Sequence, residues 1–208
     1  MKMKLQSTLI LLALTFVMVP LGGCSFLKPK EDPTQFYVLR SQPGNPSTKV
    51  PGGQADVAIR IGPWRFPGYL SSTPIIVANG TNTVKRLDFH HWAEPLDKGV
   101  SRVLAESLSE SLNTPRVAIY PDDTDVQDGY EVLYTVFKFE GAVGGSVTLE
   151  VYWQVRDRTT MAVLAEKRAR YIIPASERQQ EVPDYVAQMS TALDEWSQDV
   201  VKALETQK

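Results

Sequence analysis

Across residues 147–156 the chain alternates without a break: Val147, Leu149, Val151, Trp153 and Val155 are apolar, and Thr148, Glu150, Tyr152, Gln154 and Arg156 stand between them. A period of two puts one row of side chains on each face of a strand, so this strand has one buried face and one polar, aromatic-bearing face. Segments 130–140 and 161–173 flank it across a glycine-rich turn (Gly141, Gly144, Gly145) and a tight polar turn at 157–160. That spacing predicts an antiparallel meander. A one-sided sheet needs a cover, and the rest of the sequence must supply it.

Two helical stripes fit that need. From Glu94, with Pro95 suited to a first turn, Leu96, Val100, Val103, Leu104, Leu108 and Leu112 share one face, with Asp97, Arg102, Glu106 and Glu110 largely off it. A second helix over about 182–204 aligns Val186, Met189, Leu193, Trp196, Val200 and Leu204. Short runs at 35–39 and 57–61, bounded by Pro and Gly signals, read as strands, and 75–78 with 83–87 reads as a hairpin turning at Asn79-Gly80-Thr81-Asn82. The expectation is an α+β two-layer sandwich: a mainly antiparallel sheet with two long amphipathic helices packed on one face.

The N-terminus carries a different message. Lys2 and Lys4 precede an apolar stretch at 5–19, and Leu21-Gly22-Gly23-Cys24 ends it with the only cysteine of the chain. This is the pattern of a bacterial lipoprotein signal: cleavage after residue 23 leaves Cys24 as N-terminus with a covalent lipid on its thiol. The stretch is shorter than the roughly 20 residues a spanning helix needs, which disfavours a transmembrane anchor. A plain secretory signal would leave a free thiol in an oxidising compartment. Acylation removes that liability, and at about 0.8 kcal/mol per buried methylene several chains hold a protein on a bilayer. Ser25 stands where an inner-membrane retention signal usually places Asp, so the expected location is the periplasmic face of the outer membrane.

The predicted organisation is a signal peptide over 1–23, an acylated cysteine and linker over 24–34, and one α+β domain over 35–208. Length sets this, since what remains after the signal suits one core better than two. Residues 25–34 mix charge with Pro29 and Pro33, and 42–55 holds three prolines and three glycines, the composition of a loop between two strands. The whole chain has formal charge −2, and losing Lys2 and Lys4 with the signal makes the body more acidic. Nucleic acid and anionic surfaces reward the opposite balance.

Candidate chemistry is sparse. His90 and His91 are the only histidines, and neighbours on an extended segment point to opposite faces, so they share a metal poorly. The acidic run Asp122, Asp123, Asp125, Asp128 with Gly129 fails as a calcium loop, because the glycine comes one place late and the twelfth position is Tyr134. No serine sits in a Gly-x-Ser-x-Gly elbow and no glycine-rich phosphate loop enters a helix. Glu106 and Glu110 are one turn apart on an exposed helix face, an ordinary solvated arrangement. An enzyme is therefore not expected, nor any cofactor or metal beyond the lipid on Cys24.

One aromatic stretch is left over. Pro63-Trp64-Arg65-Phe66-Pro67-Gly68-Tyr69-Leu70 is too punctuated for regular helix. Trp64, Phe66, Tyr69 and Leu70 either cap the core or are displayed for a partner, since exposed aromatics bury much area at low entropy cost.

Several strings together resemble a known family. The Cys24 motif, Phe36-Tyr37-Val38-Leu39, Ile61-Gly62-Pro63 followed by Phe66-Pro67-Gly68-Tyr69-Leu70, and above all His91-Trp92-Ala93-Glu94-Pro95-Leu96 are similar to the PqiC-type auxiliary lipoproteins of ABC transport systems, with Trp153-Gln154-Val155-Arg156-Asp157 fitting their central strand. The likeness spans nearly the whole chain after the signal. Two departures stand out: His91 replaces an expected Arg, removing a fixed positive charge, and the turn after Asp157 lacks the usual glycine.

The resemblance implies an outer-membrane lipoprotein component of an intermembrane lipid transport system. Its implied partners are an inner-membrane permease and an MCE-domain periplasmic protein that it anchors and docks, with phospholipid as a candidate ligand and a homo-oligomer compatible with ending a channel. Contact residues on that reading are Trp64, Phe66, Tyr69, Leu70, His91 and Trp92. The alternative is a structural lipoprotein that helps an outer-membrane barrel or envelope complex to assemble.

Overall fold

The computed structural model describes residues 31–41, 57–122, 128–175 and 181–206. The expected signal 1–23, Cys24, the linker as far as residue 30, the loop 42–55 and Asp123 and Asp125 of the acidic run lie outside the described residues. In chain order the body contains β1 (Gln35–Tyr37), β2 (Ile59–Arg65), a single 3-10 turn at Gly68–Leu70, β3 (Pro74–Ala78), β4 (Val84–Trp92), α1 (Leu96–Leu112), β5 (Val117–Ile119), β6 (Tyr130–Gly141), β7 (Val147–Asp157), β8 (Val163–Ile173) and α2 (Val182–Glu205).

The architecture is the α+β sandwich expected, with the meander as its frame. β6 and β7 pair antiparallel from Tyr130 opposite Asp157 to Gly141 opposite Val147, and β7 pairs with β8 from Val147 opposite Ile173 to Arg156 opposite Val163. All five odd residues of β7 from Val147 to Val155 are buried. They face α2, while α1 lies against α2 and covers β2 and β5; both stripes are buried as the spacing required: Leu96, Val100, Val103, Leu104, Leu108 and Leu112 on one helix, Val186, Met189, Leu193, Trp196, Val200 and Leu204 on the other. Each such side chain contributes roughly 1.5–3 kcal/mol when fully removed from water.

Two aspects differ from the sequence reading. The strands form two sheets, a three-stranded one in the order β1-β4-β3 and a five-stranded one in the order β5-β2-β6-β7-β8. Within them β1–β4, β2–β5 and β2–β6 are parallel. Parallel neighbours are joined by long crossovers instead of tight turns, so no local turn chemistry announces them. Tyr185, fully buried on α2, links the two sheets: its hydroxyl donates to the Ile76 carbonyl at 3.1 Å and accepts from the Gly141 amide at 3.3 Å.

The helix ends follow from sequence. Pro95 is the residue capping α1 rather than its first turn, and Asn113 closes the helix in the left-handed region at φ 51° while the Thr114 amide returns to the Ser109 carbonyl. At α2, Glu181 and Asp184 form a reciprocal capping box.

Candidate functional site

The leftover aromatic segment is held by a bulge. The β2–β6 register shifts between Ile61 and Trp64, which turns the Trp64 ring toward α1. Gly62 makes this feasible: its φ is +98°, and a Cβ there would lie 2.7 Å from the Trp64 ring and 2.9 Å from Tyr120. Trp64 then stacks on Tyr134 at a ring separation of 6.2 Å and meets Tyr120 edge to face at 6.4 Å. Its Nε1 donates to Asp97 Oδ2 at 3.2 Å, and Lys98 Nζ lies 4.6 Å from the ring centre.

Tyr134 is the hub below. It is buried, packs edge to face on the fully buried Trp196 at 4.9 Å, and shares a 2.7 Å hydrogen bond between its hydroxyl and Ser101 Oγ on α1. Burial pushes its hydroxyl pKa well above the usual phenol value. Phe66 also meets Tyr134 edge to face, at 6.3 Å. Leu70 is 3% exposed and belongs to the core, whereas Tyr69 is 41% exposed and donates its hydroxyl hydrogen bond to the buried Glu140. Burial first, then that carboxylate, drive the Tyr69 pKa upward. The stretch 63–70 therefore caps the core with three of its four large apolar residues, and Tyr69 forms its outer edge.

The His91-Trp92-Ala93-Glu94-Pro95-Leu96 string now has a physical account. Trp92 is buried and its amide donates to the Thr73 carbonyl at 2.8 Å, and the Ala93 amide donates to Tyr37 O at 2.9 Å. Glu94 accepts from Arg102 Nη2 at 2.5 Å, while the same Arg102 donates to Glu106 at 2.9 Å and to the Leu39 carbonyl at 2.8 Å. The Glu94 hydrogen bond leads the effects that raise the Arg102 pKa. This guanidinium pins the chain after β1 to α1 at the point where the helix starts. The histidines diverge as expected of a strand: His90 shares a 2.8 Å hydrogen bond with the Tyr37 hydroxyl, and His91 packs edge to face on Phe36 at 5.9 Å.

The sheet face turned away from the helices is polar. Glu131 is buried there between Arg60, at 3.2 Å, and Arg156. Glu150 accepts from Arg168 at 2.7 Å and from Arg170 at 3.2 Å, and the first of these leads in holding its carboxyl below the usual range. A cleft of about 280 Å³ runs along this face between Pro63, Trp64 and Arg65 on one side and Leu133, Thr135, Tyr152 and Gln154 on the other. The sequence reading brought Trp64, Phe66, Tyr69 and Leu70 together correctly but did not separate Leu70 and Trp92, which are interior, from residues with a free edge. It missed Tyr134 and the Glu94–Arg102 pair. Alternation in β6 placed Tyr134 inward, and nothing local showed that Trp64 would stack on it.

Among the described residues no group of three or more His, Cys, Asp or Glu is placed to hold a metal ion, and no helix is long and apolar enough to cross a membrane. What fold and site define is an α+β module whose distinctive residues are engaged in packing and pairing. A family model described as the ABC-type transport auxiliary lipoprotein component matches residues 37–201, and the chain belongs to that family. Among solved structures, a Xanthomonas campestris protein assigned to DUF330 is similar in fold, with TM-score 0.64 and 16% identity over 81% of this chain and 93% of its own. Another, of an uncharacterized protein, gives TM-score 0.60 and 14% identity over 81% of this chain and 97% of its own. No curated protein matches in sequence.

Proposed function

We propose that this protein is the outer-membrane, periplasm-facing lipoprotein of an intermembrane lipid transport system, tethered through a lipid on Cys24 and docking an MCE-domain periplasmic partner that works with an inner-membrane permease. The observation that carries the reading is the transport-auxiliary family match over 37–201, supported by the lipoprotein-signal pattern that precedes Cys24. Residues 1–23 are then the removed signal, 24–34 the acylated cysteine and linker, and 35–208 one domain. The interior positions of Leu70 and Trp92 leave Trp64, Phe66, Tyr69 and His91 as the contact candidates with accessible edges. Phospholipid is the candidate cargo at such a contact, and several copies of the chain are compatible with a shielded path. No cofactor enters the scheme apart from the Cys24 lipid, and the protein docks and anchors without catalysis.

The test is purification of the acylated chain from envelope membranes after in-cell cross-linking, with identification of captured proteins and extraction of bound lipid. Co-purification of an MCE-domain protein and its permease, lost in a Trp64→Ala/Tyr69→Ala variant that remains folded, is the expected result. Capture of only an outer-membrane barrel or assembly factor would replace this reading by a structural assembly role. Cys24→Ala should abolish outer-membrane fractionation, and normal fractionation of that variant would remove the anchor from the scheme.

A further inference from the structure

The string Phe36-Tyr37-Val38-Leu39 is only partly used by the fold. Leu39 is 1% exposed in the core, and Tyr37 packs against the core and bonds His90. Phe36 is 65% exposed, touching the His91 ring edge to face, and among the described strands β1 is the edge of its sheet, paired on one side only, with β4. A second large aromatic stands on β4 two residues before His91, the register partner of Phe36. Phe89 is 56% exposed and immediately precedes His90, the register partner of Gln35. Lys85 and Arg86 on the same strand are also exposed, as is Asp88.

We infer that Phe36 and Phe89, at the β1 edge of the three-stranded sheet, form a membrane-contact patch that seats the body against the surface of the bilayer carrying its anchor. The inference rests on the reading that Cys24 is acylated. Phe36 is the twelfth residue after Cys24. Even fully extended, that length of chain spans at most roughly 40 Å, so this end of the body is covalently held within that distance of the lipid surface. Confinement at such range gives a high effective concentration, and a weak patch then suffices.

The chemistry favours lipid over a protein partner. A specific protein interface buries about 1,000 Å² or more in total, with anchors set in a packed surround, whereas two exposed rings and a histidine edge form only a small patch. The headgroup region of a bilayer accepts isolated aromatic rings singly and needs no shape complement. On β4 itself the two exposed cations Lys85 and Arg86 outnumber the one exposed carboxylate, Asp88, which suits a surface of lipid phosphates.

The experiment uses the full acylated chain in vesicles of phosphatidylethanolamine and phosphatidylglycerol at about 3:1. With the Cys24 thiol blocked by its lipid, Asp88→Cys provides the single free thiol for a nitroxide label beside the patch, and Asn82→Cys provides one in the hairpin turn at the far end of β4. The ratio of oxygen to nickel-chelate collision rates reports contact with lipid. We expect this ratio at position 88 to exceed that at position 82 at least threefold, and to fall to the level of position 82 when Phe36→Ser and Phe89→Ser are added. Equal ratios at the two positions, or a ratio at 88 that survives the double substitution, would overturn the patch while leaving the anchor intact. A chain that fails to float with the vesicles and shows no acyl mass on Cys24 would instead overturn the lipoprotein reading, and the patch with it. Both serine positions are solvent-exposed, so a circular-dichroism midpoint within about 2 °C of the parent serves as the control for folding.

Discussion

Replacing Trp64 by alanine tests whether the 63–70 stretch is part of the core. A fully buried tryptophan costs about 3–5 kcal/mol when truncated. Trp64 is half-buried, which brings the packing loss to roughly 2 kcal/mol. Its stacking on Tyr134 adds about 0.5–1.5 kcal/mol beyond area, and the Lys98 contact adds about 0.5–1 kcal/mol at an exposed site. These contributions overlap, so the expected loss is about 2–3 kcal/mol. For a domain of this size that lowers the thermal midpoint by roughly 5–10 °C. Urea unfolding followed by far-ultraviolet circular dichroism measures it, with Phe36→Ser as an exposed control expected to stay within about 0.5 kcal/mol. A Trp64→Ala loss no larger than that of the control would refute the account of Trp64 as a ring stapled onto Tyr134, and would return the segment to the surface.

Two further outcomes follow from backbone and charge. Met161 sits in the left-handed region at φ 62° between β7 and β8, a conformation that costs a residue with a Cβ about 1–2 kcal/mol, so Met161→Gly should stabilise the body by roughly 0.5–1 kcal/mol once the added chain entropy is subtracted. A loss of stability in urea melts would contradict it. Burial, followed by repulsion from Glu110 and Glu195, raises the Asp194 pKa. The folded state therefore binds this proton more tightly than the unfolded state, and the associated stability is present at low pH and lost as pH rises through the unfolded carboxyl value near 4 and the raised folded value above it. Asp194→Asn should raise stability at pH 7 by up to about 0.5 kcal/mol and have no such benefit below about pH 3.5, checked by melts across that window.

The local elements were legible because their signals are local. The alternation of 147–156, the stripes of both long helices and the Asn79-Gly80 turn each encode a face or a reversal within one segment, and the structure realises them. Cys24 and the strings around Phe36 and Trp92 carried the family likeness through the same short range. Tertiary structure decided the rest. Division into two sheets depends on parallel pairing between strands far apart in sequence, where no turn type sets the register. The inward rotation of Trp64 depends on a bulge whose cause, the glycine at 62, is visible in the sequence but whose partner, Tyr134, lies 70 residues away. Glu94 looked like a helix-start carboxylate, and only folding brought Arg102 to bridge it with the Leu39 carbonyl. Phe36 read as an ordinary strand residue and Phe89 fell outside the strand expected at 83–87: sequence periodicity says which face a side chain takes, and only the assembled core shows which faces it leaves uncovered.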